Sequence, residues 1–183
     1  MTTQISALIA DRLVLKLQAD LIADNSIEAE RVGVVRYGNL QQNPEKVRIY
    51  VLVHCGRDPE DDNWKDISVA YQEQQLERRQ IWTPAFEVGG GSMWFRRGVV
   101  EWGYYGTKDK SSRDTARDIA FAIQGKIERA IAQCDVGGIQ DDFGEVAVDI
   151  RPVWSNPDAG GGPPASFLWR GKIGYQAQTQ RPY

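Results

Sequence analysis

The 183-residue sequence holds one histidine and two cysteines, so the residue types that most often carry nucleophilic catalysis are scarce. His54 and Cys55 are adjacent in an alternating stretch. Neighbours in a strand point to opposite faces, so the two cannot act on one another as a dyad, and His54 is expected to be a packed or edge residue. Cys134 lies far along the chain, and neither cysteine belongs to a CxxC pair. The expectation is two reduced, mostly buried thiols. A zinc centre wants three or four such ligands, which this set does not supply without carboxylates.

Carboxylates offer a second chemistry. Asp58, Glu60, Asp61 and Asp62 crowd the stretch GRDPEDDNW. A calcium loop would also need a glycine at its sixth position and a glutamate at its twelfth, and the spacing lacks both, so a solvated turn is expected. A metal-dependent hydrolase would gather carboxylates and a lysine about one ion. Glu101, Asp149 and Lys172 have suitable types, but nothing in their spacing brings them together. VGGGSMWF lacks the lysine of a phosphate loop and leads into a strand, and DAGGGPPAS has prolines where amide donors would be needed. No catalytic, metal or cofactor-binding residue is assigned, no cofactor is expected, and the chain is not expected to be an enzyme.

The remaining signal is aromatic and basic. Tryptophan stands at positions 64, 82, 94, 102, 154 and 169, and most of these are expected in the core. Trp, Tyr and Arg also concentrate at protein–protein interfaces, and the same mixture stacks nucleic-acid bases. A formal net charge of −3 disfavours bulk attraction to a polyanion, so protein contacts are preferred. The candidate assembly interface is Trp64, Arg78, Arg79, Trp82, Arg96, Arg97, Glu101 and Trp102.

These residues need elements to position them. Ile5, Ile9, Leu13, Leu17 and Leu21 recur every fourth residue and predict an amphipathic helix. Arg31–Tyr37 and Lys46–Cys55 read as strands separated by a turn at Asn43-Pro44. Residues 56–91 read as a long, partly mobile loop. Ser92–Tyr105 is a long strand, and Ile119, Ala120, Ile123, Ile127, Ala130 and Ile131 mark the buried stripe of a second helix. Two closing strands follow, with a flexible hairpin tip at 155–165 and an extended polar tail at 178–183. Strands that mostly succeed one another predict an α+β fold: a two-layer, mainly antiparallel sheet of four to five strands with two main helices packed on one face. The length suits a single domain over 1–183. No apolar run is long enough to span a bilayer, and the N-terminus has no signal-peptide layout.

With the elements in this order, the chain resembles the tail terminator (tail completion) proteins of long-tailed bacteriophages. The closest segment is Ser92–Gln133, where the aromatic and basic strand MWFRRGVVEWGYYG precedes the helix RDTARDIAFAIQGKIERAI. The resemblance implies a structural virion protein that forms a hexameric ring at the head-proximal end of the tail tube. The ring stops tube polymerisation and joins the tail to the neck. Implied partners are further copies of the chain, the tail tube protein and a neck or head-completion protein. DNA passes only in transit, no membrane is involved, and the implied location is the virion, with host cytoplasm during assembly. The loop with ERRQIWTPAFEV varies across the family and carries no signature, and the GGGPP tip is not assigned to the family pattern. Other neck or head–tail connector ring proteins fit the same layout. A nucleic-acid-binding module and a metal-dependent hydrolase are the readings from other classes.

Overall fold

In the computed structural model, which describes residues 4–22, 32–36, 49–69, 91–106, 113–158 and 167–182, the two periodic stretches form the two expected helices. Helix α1 spans Ile5–Ile22 and α2 spans Arg113–Ala132. The apolar stripe of α1 (Ile5, Ile9, Leu13, Leu17 and Leu21) is buried, as are Ala120, Ile123, Ile127, Ala130 and Ile131 of α2. Each fully buried Leu or Ile contributes about 1.5–3 kcal/mol, so these stripes dictate which side of each helix meets the sheet.

The strands are β1 Val32–Arg36, β2 Ile49–Cys55, β3 Arg57–Asp58, β4 Asp61–Lys65, β5 Ile67–Ser68, β6 Gly91–Gly106, β7 Val146–Asp158 and β8 Phe167–Pro182. The main sheet runs β1-β2-β6-β8-β7, with β5 added on β6, while β3 and β4 form a separate hairpin. All pairings in the main sheet except β1–β2 are antiparallel. Helix α1 packs on β1 and β2 and against α2, which in turn covers β7, β8 and β6. One apolar cluster joins the helix stripes to Val51, Val53, Val100, Trp102, Ile173, Tyr175 and Ala177 on the facing side of the sheet. This is the α+β arrangement the sequence predicts.

Four details depart from the sequence reading. Strands β1 and β2 are parallel, and a parallel pair needs a crossover of about a dozen residues rather than a hairpin; the expected turn at Asn43-Pro44 lies outside the described residues. The expected long loop of 56–91 contains β3, β4 and β5 in its first part and the first residue of β6 at its end, and residues 70–90 lie outside the described residues. The expected tail is the end of β8: Gln178 and Thr179 pair with Phe95 and Trp94 on one side and with β7 on the other. Residues 155–158 of the expected hairpin tip continue β7, and 159–166 lie outside the described residues.

Two local features shape the strands. Edge strand β7 slips register at two places, between Ala147 and Asp149 and between Pro152 and Trp154. The extra residues, Val148 and Val153, are exposed, as expected of bulges. In β6, a Cβ at Gly98 would come within 2.2 Å of the His54 carbonyl oxygen and 2.3 Å of the Tyr175 hydroxyl. That hydroxyl donates to the same carbonyl at 2.8 Å. A Gly98→Ala substitution should therefore lower stability by about 2–3 kcal/mol, read as a reduced urea midpoint with an unchanged denaturant slope.

Candidate functional site

Alternation along β6 sends Trp94 and Arg96 to the helix side of the sheet and Met93, Phe95, Arg97 and Glu101 to the other. Ser92–Arg97 is only half-buried, although the backbone is paired with β8 throughout and also with β5 at Trp94 and Phe95.

On the helix side, Arg96 is the centre of a polar brace. Its Nε and Nη2 donate to the two oxygens of Glu145 at 2.7 and 2.6 Å, a bidentate pair that fits the planar guanidinium. Its Nη1 donates to Asp66 at 3.3 Å. Asp66 also accepts from Ser6 Oγ and from the Arg97 backbone N–H, both at 2.7 Å. Glu145, only 2% exposed, accepts in addition from the Thr179 hydroxyl. The Arg96 guanidinium lies 4.5 Å over the Trp94 ring. Burial pushes the Asp66 carboxyl up, against the pull of its hydrogen bonds and of Arg96. Burial also opposes the Arg96 charge, but Glu145 and Asp66 more than offset it. The brace thus ties α1, the start of β5, β6 and the turn before β7 to the end of β8.

On the open side, Trp64 of β4 packs beneath Arg97, whose guanidinium lies 4.5 Å over the ring. The Trp64 Nε1–H donates to the Gly98 carbonyl at 2.8 Å, and Arg97 Nε donates to Gln176 at 3.0 Å. Trp64 meets Trp154 edge to face with centroids 5.7 Å apart, a favoured aromatic geometry. Trp154 in turn lies where a Cβ on Gly174 would come within 2.2 Å of its ring, so only glycine lets the indole lie flat on β8. Beside the indoles opens a recess of 740 Å³, bordered by Asp58, Glu60, Asp61, Glu101 and Lys172. Lys172 donates to Asp58 at 3.2 Å and to Glu60. These acceptors hold its pKa up against burial. Glu101 is 3.2 Å from His54 Nε2. That hydrogen bond is the main reason its carboxyl lies below the usual range, in opposition to burial, with Lys172 and Arg170 helping.

The interface residues expected from the sequence therefore separate. Trp64, Arg97 and Glu101 share the open face, and Arg96 lies on the other, engaged within the chain. Trp102 is 2% exposed inside the apolar cluster, so it is a core residue and leaves the surface. Its even position in β6 already placed it with Val100 and Tyr104. Arg78, Arg79 and Trp82 lie outside the described residues. His54 is packed, as expected, at 7% exposure. Neither cysteine is in a disulfide bond. Asp58 is buried rather than solvated, because the β3–β4 hairpin folds it against Lys172. Glu101 and Lys172 do face one another across the ladder, but Asp149 pairs at Gln178, six residues or about 20 Å along β8. Among the described residues no group of three or more His, Cys, Asp or Glu is placed to hold a metal ion, and no helix is long and apolar enough to cross a membrane. Sequence reasoning missed Asp66, Glu145, Trp154 and Gln176. Trp154 and Gln176 sit on the open face by strand alternation, whereas Asp66 and Glu145 carry no local signal.

No protein-family model matches the chain, and no curated protein does. Among solved structures, a chain of the virion of a native gene transfer agent particle is similar at a TM-score of 0.41 and 13% identity. The alignment covers 94% of this chain and 97% of that one.

Two outcomes follow from the buried charges. Glu145→Ala takes the bidentate partner from the Arg96 guanidinium, leaving Asp66 at 3.3 Å, and should cost about 3 kcal/mol in urea unfolding. Glu101 has a folded pKa depressed below its ordinary value of 4.5, so its contribution is present above 4.5 and is lost as pH falls through the depressed value. The stability deficit of Glu101→Gln should therefore be largest at neutral pH and shrink below 4.5, measured by thermal unfolding across pH.

Proposed function

We propose that the chain is a structural, non-catalytic subunit of a phage-type tail or neck, and that it acts as a tail terminator. In this reading copies of it form a ring of six at the head-proximal end of the tail tube. The ring stops tube growth and presents the surface that meets the neck, and DNA only passes through. The observation that carries this reading is the exposed half of β6. Met93, Trp94 and Phe95 stay half-exposed in a stretch whose backbone is already paired on both sides at Trp94 and Phe95. Apolar and aromatic side chains left open on a rigid, fully bonded strand form a surface that a neighbouring subunit can complete without refolding.

The order of elements supports the same reading. The strand and helix of Ser92–Gln133, which resemble the terminator family, are β6 and α2, and they carry the centre of the sheet and much of its cover. The span from residue 70, with Arg78, Arg79 and Trp82, is proposed as a contact with the tube or with the next subunit.

The test is mass by light scattering after size exclusion, with negative-stain images of the protein alone and with tail tubes added. Rings with a central hole, free or on tube ends, are expected. Monomers at every concentration and bare tube ends would overturn the proposal. Deleting residues 70–88 spares β4, Asp66 and β5. It should leave a folded protein, by circular dichroism, that no longer caps tubes, so tails would lengthen. Normal tail length in that variant would remove the segment from the contact.

A further inference from the structure

We infer that the recess on the open face of the sheet receives an arginine or lysine side chain carried by a protein partner. The inference stands on the recess itself and does not depend on the ring assignment. The walls are indole and carboxylate: Trp64 and Trp154 border the space together with Asp58, Glu60, Asp61 and Glu101. Among the described residues two cations reach it, Lys172 and Arg170. Lys172 is taken up by Asp58 and Glu60. Glu101 is held ionised by its hydrogen bond from the His54 ring, and Asp61 is exposed, with one oxygen accepting only the nearby Asn63 N–H. Among the described residues four carboxylates against two cations leave the lining negative, and negative charge beside indole rings recognises a guanidinium or an ammonium group.

The chain itself uses the same contact next door, where Arg97 lies 4.5 Å over Trp64. At 740 Å³ the space suits a side chain with its flanking backbone, since sites for small ligands run about 300–1,000 Å³. Met93 and Phe95 are half-exposed on the same face of β6 as Glu101. An occupant that covers them as well presents apolar surface beside its charge. That is the chemistry of a protein segment rather than of a free polyamine.

The probe is the peptide acetyl-Leu-Arg-Leu-Arg-amide, compared with the same peptide carrying citrulline, the neutral isostere, at both arginine positions. Binding is followed by the indole N–H resonances of Trp64 and Trp154. The arginine peptide should shift both resonances and bind at least about tenfold tighter than the citrulline peptide. A double variant, Asp61→Asn with Glu101→Gln, should bind it about tenfold more weakly while keeping the circular dichroism of the parent. If that variant does not fold, Asp61→Asn alone should weaken binding about threefold. Equal binding of the two peptides, or no shift with the arginine peptide, overturns the inference. Spermidine binding tighter than the arginine peptide overturns the assignment to a protein partner.

Discussion

The continuous backbone ladder between β6 and β8 is the constraint on which the rest of the structure depends. It pairs Gly91–Gly106 with Phe167–Pro182 residue for residue. Sixteen residues at about 3.4 Å each extend about 54 Å, whereas a compact chain of this length has a radius of gyration of about 16 Å. A ladder of that length outruns the layer of helices above it. Its middle is sealed on one face by α1 and α2, with Val100 and Trp102 buried in the apolar cluster, and its early part is not. One uninterrupted set of hydrogen bonds thus supports both the core and the open surface, and the surface inherits the rigidity of the core.

That shared spine also explains the brace around Arg96. Opposite it on β8 stands Ala177, a residue small enough to leave room for the long side chain and its Glu145 partner. Buried charges are tolerated only with matched partners. Here the matching comes from residues 30 and 49 positions away in sequence. Asp66 joins the same group and also holds Ser6 and the Arg97 N–H, so α1 and β5 are fastened to β6 at one point.

These distances decide how much was legible in the sequence. The stripes of α1 and α2 follow from side-chain spacing, as does the strand β6, because helical and extended periodicity is local. The two-layer α+β arrangement follows from the order of those elements. The direction of β1 does not, because a short apolar strand reads the same whether its neighbour runs parallel or antiparallel. The end of β8 reads as a polar tail because Gln176, Gln178 and Gln180 dominate its composition, although Ala177 and Thr179 are fully buried and Gln176 is buried beside them. Of the surface residues, Trp64, Arg97 and Glu101 are recognisable by type. Their grouping around one recess depends on the β3–β4 hairpin folding over the sheet, which no local pattern announces.

The two bulges of β7 bear on how copies of the chain can meet. An incoming strand laid along that edge would lose step with it at Val148 and again at Val153, and Pro152 and Pro157 each withhold a backbone donor. Growth of the sheet from one molecule into the next is therefore obstructed on the β7 side. Copies that associate there must do so through side chains, whose packing sets a definite angle between neighbours and can be undone without tearing a hydrogen-bonded ribbon. An edge of this kind guards a concentrated solution of subunits against running together into fibres.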